Sequence, residues 1–320
     1  MHWLESSGQG AKNMKAARIH NFGPPAVVLV EDIPRPVPAA GELLVRVVAA
    51  GVGPWDALIR EGKSKVSPAP PLTLGSDLSG VVDEVGPGVT GFSKGDQVFG
   101  VTNPGFWGAQ AEFAVAIAGM IAQKPQRLSH IEAASVPVVA VTAWQMLFEY
   151  GQAKSGQTVL ILGAAGNVGA YAVQLAATAG LHVIAAVRSK DTDDVRILGA
   201  EKVVDISAER YEDSSGSIDL LLDMVGGEAR ERAVRVLKPG GMLISVVSTD
   251  PTSAQFNVHS VFFYVDVTTL RLNVISNLID RMQLNARVGT VMPLRDVSCA
   301  HEMLAGAPHK PGKIVLQIAP

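Results

Sequence analysis

The chain has 320 residues, and 48% of them are hydrophobic, so it is long enough for two domains with packed cores. Lys and Arg total 27 against 30 Asp and Glu, and no basic block indicates a nucleic-acid partner. No uncharged apolar run reaches the roughly 18 residues of a membrane span. Residues 1–13 lack a basic stretch followed by an apolar core, so we expect a loose N-terminal extension here rather than a secretory signal.

The single cysteine, Cys299, excludes a disulfide within one chain and a cysteine-rich zinc site. We therefore expect a cytoplasmic protein. Cys299 itself lies in the helical segment "VSCAHEML" and is predicted to be a small buried hydrophobic residue.

Residues 14–135 alternate short β-like segments with Gly and Pro turns, which predicts a small, mostly antiparallel β domain. From 136 to 285 the pattern changes to apolar strands that alternate with helical segments, as in "TVLILG", "VGAYAVQLAATAG" and "HVIAAV". Such alternation is typical of a parallel sheet covered by helices on both faces. Residues 286–320 return to a helix flanked by strands and are expected to rejoin the β domain. The predicted fold class is therefore α/β.

A glycine-rich turn ends one apolar strand and begins a helix. Without side chains, Gly166 lets the backbone approach a pyrophosphate and Gly169 lets the helix pack on its strand, while the free N–H groups at the start of the helix attract phosphates. The strands on either side provide the context that this motif requires. The turn predicts a dinucleotide site formed by Gly163, Ala164, Gly166, Asn167, Val168 and Gly169.

The following strand ends at Val187 and continues into Arg188, Ser189 and Lys190. A site for NAD would carry Asp or Glu here to bind the ribose 2′-OH. Guanidinium and ammonium groups pair instead with phosphate oxygens. These three residues therefore predict NADP(H), with the 2′-phosphate as their ligand. A solvated loop, in which Arg and Lys are common, is the alternative interpretation.

Several blocks of the sequence occur in the order of one known family, among them "AAGVGPWDALIREG", "PLTLGSDLSGVVDEVGPGVTGFSKGDQVFG", "LILGAAGNVGAYAVQLA", "LKPGG" and "KPGKIVLQI". On these motifs the chain from Met14 resembles the zinc-independent quinone oxidoreductases of the medium-chain dehydrogenase/reductase superfamily, the group that includes zeta-crystallin-like enzymes. The resemblance implies a GroES-like domain at 14–135 and 286–320, and a Rossmann domain with a doubly wound parallel sheet at 136–285. It also implies a homodimer formed edge to edge by two Rossmann sheets, with "FFYVDV" as the candidate edge strand.

Zinc alcohol dehydrogenases of the same superfamily carry Gly-His-Glu where this chain has Gly75-Ser76-Asp77, and a cysteine in the region of Gly51 to Asp56. This chain has neither ligand, and its seven histidines show no metal-ligand spacing. The resemblance therefore implies metal-free hydride transfer from NADPH to a small molecule, either a quinone or an α,β-unsaturated carbonyl. Two alternatives stay open: a metal-free alcohol or aldehyde oxidoreductase, and an NADPH-binding protein without enzymatic activity.

Further cofactor contacts are expected from position and from the resemblance. Thr142 in "VTAW" matches a family position beside the nicotinamide, with a hydroxyl bonded to its own helix backbone as the alternative. Lys310 is a second candidate for the 2′-phosphate. Ile206 stands where the family often has a tyrosine over the adenosine. The carboxyl ends of later strands are where an open α/β sheet presents its ligand. The residues predicted there are Val225, Gly226, Val246, Val247 and Ser248.

The segment expected to face the substrate, residues 53–58, differs from that of many relatives, which have Asn-x-x-Asp-x-Tyr there. Gly53 stands in place of the Asn and Leu58 in place of the Tyr. Asp56 is retained, and two roles are open for it: to fix its own loop or to face the substrate. The tyrosine is therefore not available as a proton donor, and the sequence assigns no general acid. Trp55 and Trp107 are candidates for an apolar wall that stacks on a flat acceptor, with a place in the core as the alternative.

Overall fold

The structure is a computed structural model that describes residues 13–206, 218–249 and 253–319. The chain divides into two compact units. Unit 1 comprises Met1–Pro137, Thr268–Leu272 and Val288–Pro320, and unit 2 comprises Val138–Val267 and Asn273–Arg287. The predicted extension lies outside the described residues, except for Asn13, which begins the first strand.

The described strands, in chain order, are β1 Asn13–Ile19, β2 Leu29–Pro34, β3 Glu42–Val52, β4 Leu72–Thr73, β5 Asp77–Val85, β6 Gln97–Val101, β7 Phe113–Ile117, β8 Ile121–Gln123, β9 Thr158–Leu162, β10 His182–Val187, β11 Lys202–Asp205, β12 Ile218–Asp223, β13 Leu237–Ser245, β14 His259–Phe262, β15 Val288–Pro293 and β16 Lys313–Gln317. The described α-helices are α1 Pro54–Arg60, α2 His130–Ala134, α3 Pro137–Trp144, α4 Asn167–Thr178, α5 Thr192–Ile197, α6 Gly227–Val234, α7 Thr269–Asp280 and α8 Val297–Leu304. A π-helical segment, Gln145–Tyr150, continues α3.

Unit 1 is built from two sheets. A three-stranded antiparallel sheet has the order β2-β1-β4, and a seven-stranded sheet has the order β15-β16-β3-β5-β6-β8, with β7 paired to β3. Strand β16 pairs antiparallel with β3, from Ile314 opposite Val52 to Gln317 opposite Ala49. A strand from the first part of the chain and one from the last part thus pair in one sheet. Helix α1 begins at Pro54, two residues after the end of β3.

Unit 2 contains a six-stranded sheet of the order β11-β10-β9-β12-β13-β14, in which every pairing is parallel. This order is that of the doubly wound dinucleotide-binding fold, so the predicted Rossmann sheet is confirmed. The strands are apolar because they are buried: Leu160, Ile161 and Leu221 are fully inaccessible to solvent. The switch in strand order lies between β9 and β12, and therefore beside the glycine-rich turn.

Two sequence predictions need correction. Of the strand expected at "FFYVDV", only Phe262 is in a strand, because β14 spans His259–Phe262; the next residue, Phe263, packs on Tyr150 with ring centroids 4.3 Å apart. Strand β14 does lie at one end of the sheet order. Cys299 is exposed rather than buried, because α8 buries the face that carries Val297 and Ala300.

In the part of the chain that the structure describes, no helix has the length and apolar character needed to cross a membrane.

Candidate functional site

The turn between β9 and α4 has the geometry of a phosphate cradle. Gly163 has a φ angle of +77°, a region that favours glycine, and its carbonyl accepts the N–H of Gly166 at 2.9 Å. Gly166 is the N-cap of α4 and has no side chain to bind the first N–H groups of the helix. Asn167 and Val168 open the helix, and Ala164 is buried in the turn. These residues fit the pyrophosphate of a dinucleotide.

Gly169 lies where α4 crosses its own turn. A Cβ atom at this position would be 2.2 Å from the carbonyl oxygen of Gly163 and 2.7 Å from the Cα atom of Ala164. No side chain fits at such distances without movement of the backbone. The role predicted for Gly169, which is close packing of the helix on the strand, therefore has a direct steric basis.

The loops after β9, β12 and β13 meet at the carboxyl ends of these strands. A Cβ atom on Gly163 would be 3.1 Å from Val225, and one on Gly226 would be 3.0 Å from Val247. Val225 is 52% and Val247 45% exposed, so both present apolar surface to solvent or to a ligand. The structure thus brings these predicted strand-end residues together, with Val246 and Ser248 in the same loop as Val247.

A buried polar network, which the sequence analysis missed, supports these loops. Asp223 is fully buried at the end of β12 and accepts hydrogen bonds at 2.7 to 3.0 Å from Ser245 Oγ and from two backbone N–H groups of its own loop. The Arg230 guanidinium lies 3.6 Å from Asp223 Oδ2. It also donates hydrogen bonds to the backbone carbonyl oxygen and to Oγ of Ser248. The available signal was the charge that ends the apolar run "IDLLLD".

Arg188, Ser189 and Lys190 are all exposed directly after β10. Ser189 Oγ donates a hydrogen bond to Asp205, the last residue of the neighbouring strand β11. Asp205 was also missed by the sequence analysis, and its carboxylate places a negative charge beside Ser189. The two positive charges of the segment 188–190 are those of Arg188 and Lys190, both of which are exposed.

The contacts of two other predicted cofactor residues, Thr142 and Lys310, do not assign them to the cofactor. Thr142 is 5% exposed, and its Oγ1 donates to the carbonyl of Val138 in its own helix at 2.7 Å. Lys310 is exposed in the loop between α8 and β16, in unit 1. A contact of either residue with the cofactor stays a prediction.

In unit 1, Gly53 and Trp55 are sterically coupled. A Cβ atom on Gly53 would be 2.5 Å from the Trp55 ring, so the indole occupies the space that an Asn side chain would need at position 53. Trp55 Nε1 donates to Ser76 Oγ at 3.1 Å. Glycine at position 53, where the family often has Asn, thus leaves room for the indole ring of Trp55.

Asp56 binds the start of α1. Its Oδ2 accepts the N–H of Gly53 at 2.8 Å, which is half of a capping box. Complete burial raises the pKa of Asp56 to about 7, although the Gly53 N–H and Lys313 act in the opposite direction. Because the side chain is fully buried, the structure assigns Asp56 to the support of the turn.

The remaining substrate-side candidates are more exposed. Leu58 is 46% and Trp107 39% exposed. The ring contact of Trp55 is with Phe106, at 6.3 Å between centroids and tilted by 58°, rather than with Trp107. Phe106 is a further candidate for an apolar wall, and the sequence analysis missed it.

No group of three or more His, Cys, Asp or Glu residues is arranged to hold a metal ion among the residues that the structure describes. At the block where zinc relatives have Gly-His-Glu, Ser76 accepts the indole N–H and Asp77 pairs with Lys313 at 2.8 Å.

Comparison with known proteins identifies the family. Residues 39–126 match the alcohol dehydrogenase GroES-like domain, and residues 198–316 match the domain named zinc-binding dehydrogenase. Quinone oxidoreductase from Sus scrofa is 30% identical over 326 residues, which cover 96% of this chain and 98% of that protein. The Mus musculus quinone oxidoreductase is 29% identical over 328 residues, with the same coverage.

A solved structure supports the same assignment. The quinone oxidoreductase from Coxiella burnetii superposes with a TM-score of 0.90 at 30% identity, covering 96% of this chain and all of that one. The parallel sheet, its glycine cradle and the two matched domains together indicate nicotinamide-dependent chemistry. The chain therefore belongs to the quinone oxidoreductase group of the medium-chain dehydrogenase/reductase superfamily and is an oxidoreductase with a nicotinamide cofactor.

Proposed function

We propose that this enzyme uses NADPH to reduce a quinone or an α,β-unsaturated carbonyl without a metal ion. The observation that carries the proposal is the pairing of the uncapped glycine turn at α4 with the cations Arg188 and Lys190 at the end of the adjacent strand β10. Pyrophosphate and 2′-phosphate are the anions that these two features suit. The bound cofactor supplies the hydride. The names of the relatives, quinone oxidoreductases, support the acceptor class.

The protein's own residues position the reactants. The network of Asp223, Arg230 and Ser245 holds the loops on which Val225 and Val247 present apolar surface. In unit 1, Trp55 and Phe106 form an aromatic pair that suits a flat acceptor.

A conjugated acceptor explains how reduction proceeds without a Lewis acid. Quinones and enones delocalise the negative charge that arrives with the hydride, whereas a saturated carbonyl relies on electrostatic stabilisation of an alkoxide. The donor set supports the metal-free proposal, because Ser76 and Asp77 already have partners within the protein.

Two finer features belong to the same proposal. The position of β14 at the end of the sheet order supports a homodimer formed by pairing of this strand with a second copy. The single cysteine suits a cytoplasmic location.

Arg188→Glu tests the choice of cofactor. The substitution replaces a cation with an anion where the 2′-phosphate is proposed to bind, so we expect the KM for NADPH to rise roughly tenfold or more. The KM for NADH should change little, because NADH has no 2′-phosphate. Steady-state kinetics with each cofactor at a fixed acceptor concentration measures both values.

Arg196→Glu is the matched control, since Arg196 is an exposed arginine on α5 of the same unit. Its KM for NADPH should match that of the wild type. An Arg188→Glu enzyme with unchanged KM for NADPH would refute the assignment of the 2′-phosphate to this loop.

A further inference from the structure

Three charged side chains from distant parts of unit 1 are buried together. Asp56 on α1 and Asp77 on β5 are fully buried, and Lys313 on β16 is 1% exposed. Lys313 Nζ lies 2.8 Å from Asp77 Oδ2 and 3.9 Å from the centroid of the Trp55 ring. Gly51 makes room for this arrangement, because a Cβ there would be 2.9 Å from both Asp77 and Lys313.

One ammonium group cannot neutralise two buried carboxylates. Lys313 forms its close ion pair with Asp77, so an ionised Asp56 would leave the cluster with a net negative charge in a low-dielectric interior. Asp56 Oδ1 has no hydrogen-bond partner within the described ranges, while Oδ2 accepts the Gly53 N–H. Because Oδ2 accepts the Gly53 N–H, Oδ1 is the oxygen that is free to carry a proton; the nearby Gly75 N–H, like the Gly53 N–H, acts to lower the pKa, and the effect of burial is larger.

We propose that Asp56 is the proton-holding member of this cluster and that its proton keeps the Gly53–Trp55 turn in the arrangement that acceptor reduction requires. The inference rests on the proposed function for its kinetic consequence. When Asp56 loses the proton, Lys313 is drawn toward a second carboxylate and away from the Trp55 ring. Asp56 is thus a positioning residue that acts through Lys313 and Trp55.

The other titratable groups near the cluster do not account for such a transition. His130 of α2 contacts Ser79 on the strand that carries Asp77, and burial lowers the pKa of this imidazole to about 4, so it stays neutral around pH 7. Arg60 of the same helix donates to His301 of α8 at 2.9 Å and to Glu61 at 2.6 Å. Burial and the nearby Arg60 lower the pKa of His301 to about 3, so this imidazole stays neutral around pH 7. The pKa of Glu61 is lowered by its contacts with Lys63 and Arg60, so Glu61 stays ionised.

Tryptophan fluorescence followed from pH 5 to pH 9 tests the proposal without any substrate. We expect the wild type to show a transition near pH 7, because Lys313 faces the Trp55 indole. The transition should be absent in Trp55→Phe and in Asp56→Asn, which is neutral at every pH. Asp32→Asn, at an exposed carboxylate paired with Lys15, is the control and should keep the transition.

Asp77→Asn gives a second and directional test. This variant leaves Lys313 with Asp56 as its remaining carboxylate partner in the cluster, so the midpoint should move to lower pH by at least roughly one unit. With a conjugated acceptor, kcat/KM of the wild type should follow the fluorescence midpoint, and this pH dependence should disappear in Asp56→Asn.

A transition that persists in a folded Asp56→Asn protein, or an unchanged midpoint in Asp77→Asn, would overturn the proposal. Absence of turnover with every conjugated acceptor would instead contradict the proposed function, and the fluorescence titration would still decide whether Asp56 holds the proton.

Discussion

Asp223→Ala should lower the free energy of unfolding by about 3 to 5 kcal/mol and abolish dinucleotide binding. The substitution leaves the Arg230 guanidinium, whose side chain is 8% exposed, without the carboxylate that lies 3.6 Å away. It also removes the acceptor for Ser245 Oγ and for two backbone N–H groups of the loop that follows β12. Chemical unfolding measures the first effect, and calorimetric titration with NADPH measures the second.

Asp219→Ala is the matched control, because Asp219 lies on the same strand and also pairs with a cation, Lys238, at 2.8 Å. The Lys238 side chain is 45% exposed, and Asp219 also accepts the Thr158 backbone N–H at 2.8 Å, so the loss should be about 1 to 2 kcal/mol and NADPH should still bind. Wild-type affinity for NADPH in Asp223→Ala would show that the network does not position the cofactor loops.

Gly169→Ala should destabilise the protein by about 2 kcal/mol or more, although alanine is normally the better helix residue by about 1 kcal/mol. The reason is the new Cβ atom, which would lie 2.2 Å from the carbonyl oxygen of Gly163. Relief of this contact must shift the glycine turn or the start of α4, so affinity for NADPH should fall as well. Thermal unfolding and a binding titration measure the two effects.

Gly119→Ala serves as the comparison, since a Cβ built there would have no heavy atom of the described structure within 4 Å apart from those of its own residue and its two chain neighbours. Stability within about 0.5 kcal/mol of the wild type is expected for it. A Gly169→Ala protein as stable as Gly119→Ala would mean that helix packing on the turn has more freedom than the geometry indicates.

Sequence patterns of short range predicted the fold well. The run "HVIAAV" coincides with β10, and "ELLVRVVAAGV" coincides with β3, because continuous apolar runs bounded by turn residues specify buried strands. The glycine turn could also be predicted from the sequence, because the close contacts that require glycine there are between residues within six positions of one another. The end of β14 was misjudged because aromatic residues suit both a strand and a packed loop.

The polar networks were not predictable from such patterns. Asp223 and Arg230 meet through the fold of two strand-end loops, and Asp56 meets Lys313 because β16 pairs with β3. Spacing in the sequence carries no information about these pairings. The steric coupling of Gly53 with Trp55 is local, but it depends on the orientation of the indole ring, which the sequence pattern does not specify.

The most direct test of the account is cofactor oxidation by chelator-treated enzyme, with NADPH and NADH in parallel, against an ortho-quinone, a linear enone and a saturated aldehyde. The account predicts that NADPH is consumed faster than NADH at equal low concentration, with the quinone or the enone and not with the aldehyde. Turnover confined to the aldehyde, or turnover that chelation removes, would contradict the proposal of a metal-free reductase of conjugated acceptors.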